Sequence, residues 1–336
     1  MNQEKLFWIL EDKLRSSSSA NDYMIDAGLL LAWKALSESS SELPSLTDAR
    51  DGEITLKAAY RKLSEQDDIG EWYDRSSLPG QISQNDLEEI LKAIVAFNIT
   101  SPLSLINALS ELSSRNEHGL PDEIVNLMTA LGKTENKSVY VPFNGSLPLA
   151  MKANEVAKSV VCEVIEKSPL VAIFTALAKL NVTYSNLFES PSFTDGKYLQ
   201  QFDCVLMNPP FGSKLKKPLL DSYNRFSKEL TNGDVMAIEH ALAHSKGRII
   251  SLATQGQLFR GASDRELRVK LIKNGWLDAI IQLPAQLLHG ASVPAVVMII
   301  DKTRKPNDPV LFFDAQQESL YSEGGRGQRN QLSQWQ

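Results

Sequence analysis

Only two cysteines occur in the 336 residues of this sequence, too few for a disulfide scaffold. No apolar run reaches the roughly 18 residues of a membrane-spanning helix, so we expect no membrane partner. The first residues also lack a basic segment followed by an apolar one, which argues against a secretion signal. These absences predict a cytoplasmic protein in which Cys162 and Cys204 are buried thiols within apolar, strand-like segments.

A large excess of either charge is also missing, since the net charge is −6, but the charges are unevenly spread. Residues 1–136 carry 12 Lys/Arg and 23 Asp/Glu, whereas residues 204–273 carry 12 Lys/Arg and 6 Asp/Glu. The basic segment predicts local contact with phosphates. The total charge is unsuited to gripping duplex DNA alone, because phosphate contacts dominate such binding.

The first part of the chain shows helical periodicity and almost no strand-like alternation. We predict an α-helical N-terminal domain over residues 1–118. Its expected helices cover residues 6–14, 23–36, 56–63, 87–97 and 103–112.

From residue 119 onward, apolar strands alternate with helices. Strands are predicted at residues 138–141, 159–162, near 187, 202–207, 248–253, 277–282, 295–301 and 310–313. Helices are predicted at residues 120–131, 168–180, 233–244 and 264–273. This alternation predicts a Rossmann-like α/β domain over residues 119–336, with a mostly parallel sheet and an antiparallel edge formed by the last two strands.

A proline-locked turn follows the strand at residues 202–207. Each proline of Asn208-Pro209-Pro210-Phe211 fixes φ and lacks an N–H, so the turn is rigid and its carbonyls stay free. The Asn208 amide oxygen and the Pro209 carbonyl can both accept from a planar group that carries an NH2, while Phe211 stacks on its face. A Pro-rich turn without function is the competing interpretation.

This tetrapeptide resembles the Asn-Pro-Pro-Phe catalytic motif of S-adenosylmethionine-dependent N6-adenine DNA methyltransferases. The resemblance implies that Asn208, Pro209, Pro210 and Phe211 are catalytic. It implies a flipped-out target adenine and direct methyl transfer, with no metal required. Asp203 stands where that family often has an acidic residue.

The first strand–loop–helix position would hold the cofactor in this family. The family loop normally reads Asp-Pro-x-Cys/Ala-Gly-Ser/Thr-Gly-Gly/Ala-Phe-Leu, and Pro142, Gly145 and Ser146 match it. The leading acid is replaced by Val141 and the second glycine pair by Leu147-Pro148. The resemblance implies S-adenosylmethionine binding by Pro142, Asn144, Gly145, Ser146 and Asn208. An ordinary β–α turn without ligand is the alternative.

An acidic residue also ends the second strand. Glu163 lies about 20 residues after the glycine turn, the spacing at which dinucleotide folds place a carboxylate for ribose hydroxyls. We predict a bidentate grip on the ribose by Glu163, with a lone surface glutamate as the alternative.

Residues 200–332 resemble one subfamily, the modification subunits of type I restriction–modification systems. The resemblance lies in ordered features such as Gln257-Leu258-Phe259-Arg260-Gly261, Ile281-Gln282-Leu283-Pro284 and Val293-Pro294-Ala295. It implies double-stranded DNA as substrate and a complex of two such subunits with a DNA-specificity subunit, in some cases with a restriction nuclease subunit.

Other polar features have plainer interpretations. His240 and His244 stand four residues apart on a predicted helix without a third ligand, which predicts a helix-surface pair and no metal site. Lys214, Lys216 and Lys217 either contact phosphates or are simply solvated.

The sequence therefore predicts a site-specific N6-adenine DNA methyltransferase. One alternative, motivated by Val141 and Leu147-Pro148, is a degenerate DNA-binding or assembly component that binds cofactor poorly or not at all. Another is a protein glutamine N5-methyltransferase, since those enzymes use a related Asn-Pro-Pro-Tyr loop; Phe211 in place of tyrosine argues against it.

Overall fold

By its internal contacts the chain divides into two units. The first comprises Met1–Asn116 and Lys167–Lys179, and the second Glu117–Glu166 and Leu180–Gln336. The computed structural model describes residues 1–15, 23–99, 102–103, 105, 120–217, 219, 221–226, 230–288, 294–317, 319–324 and 329–333.

The described part of the first unit is helical, as predicted. Its helices are α1 (Gln3–Leu14), α2 (Tyr23–Ser39), α3 (Leu46–Arg50), α4 (Leu56–Leu63), α5 (Gly70–Arg75), α6 (Leu78–Gln81), α7 (Gln84–Val95) and α10 (Pro169–Ala178). The helix predicted at residues 103–112 falls largely outside the described residues. Among the described helices, none combines the length and apolarity needed to cross a membrane.

Helix α2 forms the centre of this unit because it is apolar nearly all round. Trp33 is fully buried and donates its ring N–H to the Pro44 carbonyl at 2.7 Å. The buried Lys34 ammonium donates to the Ile94 carbonyl at 2.9 Å, so a cation satisfies a carbonyl group at the C-terminal end of α7.

Helix α10 departs from the predicted arrangement. It connects two strands of the second unit, yet its contacts assign it to the first, where it packs on α2. A Cβ at Gly28 of α2 would come within 2.6 Å of the Ile173 side chain, so the glycine lets the two helices approach closely. The predicted boundary between residues 118 and 119 stays a prediction.

The second unit contains an eight-stranded sheet with helices packed against it. Its strands are β1 (Ser138–Pro142), β2 (Ser159–Val164), β3 (Val182–Tyr184), β4 (Phe202–Met207), β5 (Ser245–Thr254), β6 (Leu277–Gln282), β7 (Ala295–Asp301) and β8 (Leu311–Asp314). Its helices are α8 (Asp122–Gly132), α9 (Leu147–Asn154), α11 (Gly233–His244) and α12 (Ala262–Lys273). A separate two-stranded sheet pairs β9 (Tyr321–Ser322) with β10 (Gln331–Leu332).

The strand order is β3-β2-β1-β4-β5-β7-β6-β8, which confirms the mostly parallel sheet. The prediction of an antiparallel edge was wrong. The antiparallel strand is β7, inside the sheet between β5 and β6, whereas the edge strand β8 runs parallel to β6. No helix is described between β6 and β7, and a chain without a helical crossover returns antiparallel to the strand it has just left.

The third strand lies at Val182–Tyr184, before Leu187 rather than around it. Cys162 and Cys204 are buried free thiols, as predicted, and burial raises the pKa of each to about 12. Because β1 to β5 run parallel, the loops after them meet at one edge of the sheet, called here the carboxyl edge.

Candidate active site at the carboxyl edge

Four predicted catalytic residues form the loop directly after β4. Pro209 is buried, Pro210 is exposed, and Asn208 and Phe211 are half-buried. A strand at the middle of the sheet, flanked by β1 and β5, therefore delivers an amide and an aromatic ring to the carboxyl edge.

Two hydrogen bonds to the loop after β1 fix Asn208. Its backbone N–H donates to Ser146 Oγ at 2.7 Å, and its side-chain Nδ2 donates to the Gly145 carbonyl at 3.1 Å. Because a carbonyl oxygen only accepts, Nδ2 must face Gly145, and Oδ1 must face away. Within the described part of the chain, Oδ1 accepts no hydrogen bond, so it remains available to an amino group.

A side chain at position 145 would crowd this contact. A Cβ there would stand 3.0 Å from Asn208 Nδ2 and 3.1 Å from the Asn208 carbonyl oxygen. The sequence resemblance implies cofactor binding by Gly145, and the structure shows that Gly145 also contacts Asn208.

The far end of the catalytic loop is held by the first turn of α11. The Gly212 N–H donates to Asp234 Oδ1 at 2.8 Å, and the other oxygen of this buried carboxylate accepts from Arg260 at 2.8 Å. Gly233 N donates to the Ser213 carbonyl at 2.9 Å, and a Cβ on Gly233 would clash with Ser213. Both ends of the Asn208–Phe211 turn are thus anchored.

The loop after β1 uses its polar groups within the protein. The Asn144 side chain accepts from Ile165 N at 3.0 Å and donates to the Glu166 carbonyl at 2.8 Å, which ties this loop to the one after β2. Pro142 is the register partner of Glu163. The structure therefore brings Pro142, Asn144 and Glu163 together with Gly145, Ser146 and Asn208 at one edge.

The two departures from the family loop lie at the start of α9. Leu147 and Pro148 are both buried, and Pro148 removes one N–H from the first turn. Apolar side chains therefore occupy the positions that glycines take in the family loop.

Glu163 is buried, and its carboxylate points into the protein. Oε1 accepts from Ser185 Oγ and from Ser192 N, the latter at 2.6 Å, and Oε2 accepts from the Tyr140 hydroxyl. A carboxylate has about four acceptor positions, so one is left, on Oε2. The predicted grip on ribose stays a prediction, and a bidentate contact requires at least one of these protein donors to move.

A directed chain of hydrogen bonds supports this carboxylate. Arg225 Nη1 contacts His240 Nδ1 at 2.7 Å, and His240 Nε2 contacts the Tyr140 hydroxyl at 2.8 Å. Arginine only donates, so Nδ1 accepts and the single proton of a neutral imidazole is on Nε2. His240 then donates to Tyr140, and Tyr140 donates to Glu163.

Burial fixes the charge states along this chain. Desolvation holds the pKa of His240 well below its usual range, and the neighbouring His244 and Arg225 lower it further. Desolvation, with Glu163 close by, raises the pKa of Tyr140. Arg225 is paired with Asp221 at 3.0 Å and donates to the Leu187 and Phe188 carbonyls at 2.7 and 2.6 Å.

The prediction that His240 and His244 form a helix-surface pair was wrong. Both are buried, because α11 packs its histidine face against the aromatic side chains of Tyr140 and Phe202. Two histidines on a largely apolar helix were the available signal for this network. No group of three or more side chains suited to a metal ion occurs among the residues that the structure describes.

Asp203 lies away from the catalytic loop, at the start of β4. It accepts from the Ser138 N–H at 2.9 Å and from the Ser138 hydroxyl at 2.7 Å, and these bonds hold its pKa well below the usual range. Its place indicates a structural link between β1 and β4. Lys214, Lys216 and Lys217 are exposed beyond the catalytic loop.

Comparison with known proteins now adds to this geometry. The sequence model of a family described as N-6 DNA Methylase matches residues 106–335. The chain is 29% identical over 127 residues to the methylase subunit of the type I restriction enzyme MpnII of Mycoplasma pneumoniae, and 25% identical over 140 residues to that of HindI of Haemophilus influenzae.

These matches are partial. They cover 35% and 39% of this chain, and only 23% and 31% of the two relatives. The fold is similar over a longer stretch to a type I restriction–modification methyltransferase subunit from Streptococcus thermophilus, with a TM-score of 0.76 over 99% of this chain and 91% of that one, at 19% identity.

Proposed function

We propose, because this chain belongs to the N-6 DNA methylase family, that it methylates N6 of adenine in DNA with S-adenosylmethionine as donor. In this proposal it is the modification subunit, or part of one, of a type I-like restriction–modification system. The observation that carries the proposal is the fixed orientation of Asn208, whose Oδ1 faces away from the Gly145 carbonyl and has no partner within the described chain.

The catalytic loop suits an exocyclic amino group. Asn208 Oδ1 and the Pro209 carbonyl accept its two N–H bonds, which directs the nitrogen lone pair out of the plane of the base. Phe211 supplies an aromatic face for that base. Rate enhancement then comes from positioning by a loop that is anchored at both ends.

S-adenosylmethionine supplies an activated methyl group when it is bound. The Asn144–Ser146 turn, Asn208 and the remaining acceptor position of Glu163 lie at the carboxyl edge, and that acceptor position fits a ribose hydroxyl of the cofactor. Leu147 and Pro148 stand where the family loop has glycines, and at least one protein donor on Glu163 must move for a bidentate contact with a ribose.

The partners belong to the same proposal. A specificity subunit would read the DNA sequence, a second copy would complete the modification complex, and a nuclease subunit joins some such systems. The net charge of −6 supports this division of labour, because an acidic chain needs a basic partner to hold duplex DNA.

Neither alternative gains support from the matches. The family and relatives that match are DNA methylases, which does not favour a glutamine methyltransferase. Val141 and Leu147-Pro148 remain the only motivation for a degenerate component, and the intact geometry around Asn208 argues against it.

Replacing Asn208 with alanine tests the proposal. We expect methyl transfer to DNA to fall by about 100-fold or more, as for the loss of one preorganised polar group elsewhere in catalysis. Incorporation of radiolabelled methyl groups into DNA by the complete complex measures it, and Asn274→Ala, at an exposed asparagine that binds the Lys270 carbonyl, is the control.

Calorimetric titration of S-adenosylmethionine into the purified chain separates the cofactor from the chemistry. Micromolar binding supports the cofactor assignment. No binding, even with the partner subunit and DNA present, would rule out the active enzyme and leave the degenerate component.

A further inference from the structure

The segment Thr254–Arg260, called here the β5 loop, presents an exposed aromatic ring at the carboxyl edge. Phe259 is 73% exposed, although it immediately follows a short 3₁₀ turn that is bonded to the protein. A single exposed phenylalanine is ordinary on a protein surface and needs no explanation by itself. The surroundings of this one point to a ligand.

Two arginines hold the backbone on either side of the ring. Arg268 donates to the Gln257 carbonyl at 2.6 Å and to the Arg260 carbonyl at 2.8 Å. Arg260 in turn donates to Asp234 at 2.8 Å and to Asp264 at 2.9 Å. Phe259 is therefore an exposed ring on a fixed platform, which lowers the entropy cost of stacking against it.

The Asp234 carboxylate joins this platform to the Asn208–Phe211 turn. Gly212 follows Phe211, Arg260 follows Phe259, and these two neighbours bind opposite oxygens of Asp234. Phe211 and Phe259 thus each precede a residue that is hydrogen-bonded to the buried Asp234 side chain.

Unpaired polar atoms in the same seven residues are a second, independent observation. Thr254 Oγ1, Gln257 Oε1 and Arg260 Nε are buried and have no hydrogen-bond partner within the described chain. Folded proteins leave few such atoms, so three in one short loop call for partners from outside the chain, either water or a ligand.

A flat apolar face beside unpaired hydrogen-bonding groups suits a nucleobase, and the exposed Lys214, Lys216 and Lys217 that follow the Asn208–Phe211 turn suit its phosphates. We propose that the β5 loop is a second base-binding element, in which Phe259 stacks on a DNA base that flanks the target adenine. This inference rests on the proposed function, because it takes DNA as the substrate of the carboxyl edge.

Matched exposed phenylalanines make the inference testable. Phe259→Ala is compared with Phe312→Ala, which removes a ring of 71% exposure from the edge strand β8. In the complete complex, Phe259→Ala is expected to raise the KM for DNA by about 5- to 140-fold, the range found when stacking residues are replaced by alanine. The Kd for S-adenosylmethionine stays unchanged, Phe312→Ala has no effect, and Phe259→Trp restores the KM.

Photocross-linking identifies the contact directly. DNA carrying 5-iodouracil beside the target adenine is irradiated in the complex, and the attached peptide is found by mass spectrometry. We expect the cross-link on Phe259, its loss in Phe259→Ala and its retention in Phe312→Ala.

The outcomes separate this inference from the proposed function. If the wild-type complex methylates DNA while Phe259→Ala behaves as Phe312→Ala does, or if the cross-links fall only on other residues, the base-binding role of Phe259 is wrong and the methyltransferase remains. If the wild-type complex neither binds nor methylates DNA, the proposed function fails and this inference fails with it.

Discussion

Single atoms decide much of what the carboxyl edge can do. One carbonyl, that of Gly145, orients the Asn208 amide, and one guanidinium, that of Arg225, sets the tautomer of His240. The Gly145 contact leaves Asn208 Oδ1 without a partner in the described chain. The Arg225 contact places the imidazole proton on Nε2, so His240 donates to Tyr140 and Tyr140 donates to the buried carboxylate of Glu163.

Acidification is expected to destabilise the protein. Folded His240 and His244 have lowered pKa values, chiefly through burial, whereas an unfolded histidine titrates near about 6.5. Below that pH these histidines bind protons in the unfolded chain but not in the folded one. The free energy of unfolding is therefore highest above about pH 6.5, and as the pH falls further it decreases by up to about 1.4 kcal/mol per pH unit for each histidine.

Urea unfolding at pH 5, 6 and 7 measures this slope, and His240→Asn should make it shallower. In ¹⁵N NMR spectra of the folded protein at pH 6, the His240 ring is expected to carry its proton on Nε2 alone. A doubly protonated ring at that pH would contradict the directed chain.

Two buried tyrosine hydroxyls provide a matched pair. Tyr140 donates to Glu163, and Tyr73 donates to the Leu29 carbonyl in the helical unit. Each Tyr→Phe change should lower the free energy of unfolding by about 1–2 kcal/mol, because a buried acceptor loses its partner. Only Tyr140→Phe should weaken S-adenosylmethionine binding, since Glu163 is a predicted cofactor contact and Leu29 is not.

Denaturant titration and calorimetry on the two variants give both quantities. Equal cofactor affinity in Tyr140→Phe and Tyr73→Phe would show that the support beneath Glu163 serves the fold alone.

At the scale of elements, apolar runs and their spacing were enough to predict most of the second unit. The strands β1, β2, β4, β6 and β7 and the helix α11 lie where the sequence placed them, because continuous apolar segments bounded by Pro, Gly or Asn mark buried strands and capped helices. The turn after β4 also lies where the sequence placed it, since Pro209 and Pro210 fix its backbone whatever surrounds it, while its catalytic role stays a prediction.

The errors have tertiary causes. The internal position of β7 depends on its pairing with β5, which local sequence does not encode. The burial of Glu163 and His240 depends on Tyr140 and Arg225, which are 23 and 15 residues away along the chain from their respective partners. The spacing along the sequence was enough to locate Glu163 at the end of β2. It did not predict the hydrogen-bond donors that occupy its carboxylate in the folded protein.

Helix α11 is expected to control the catalytic loop through its first turn. Asp234→Ala removes the acceptor of Gly212 N–H and of Arg260, so both loops lose a shared anchor. We expect kcat for methyl transfer to fall by about 10- to 100-fold, by analogy with misplaced catalytic groups, while cofactor affinity changes little.

The control on the same helix is Glu239→Ala, which breaks an ion pair with Lys270 but leaves the catalytic loop untouched. Steady-state kinetics on both variants, with thermal unfolding to check the fold, measure the difference. A similar kcat in the two variants would remove Asp234 from any positioning role.

At the scale of the whole molecule, charge sets the affinity for DNA. Because the net charge is −6, the purified chain alone is expected to bind duplex DNA with a Kd weaker than about 1 µM at 0.15 M salt, in the range of non-specific binding. Exchanging Lys214, Lys216 and Lys217 together for alanine should weaken it further and flatten its salt dependence. Fluorescence anisotropy over a salt series measures both, and nanomolar binding by the chain alone would contradict the need for a partner.

The path of α10 has a consequence for how such proteins can be recombined. The chain leaves the second unit after Glu166, contributes α10 to the first unit, and returns at Leu180. The first unit is therefore encoded by two separate segments of the sequence. The second of these segments lies between β2 and β3 and so interrupts the sequence of the second unit. Neither unit can therefore be exchanged with that of a relative as one continuous segment of sequence. A chimaera that takes α2 from a relative must also take α10 from it, because Gly28 of α2 and Ile173 of α10 pack closely against each other.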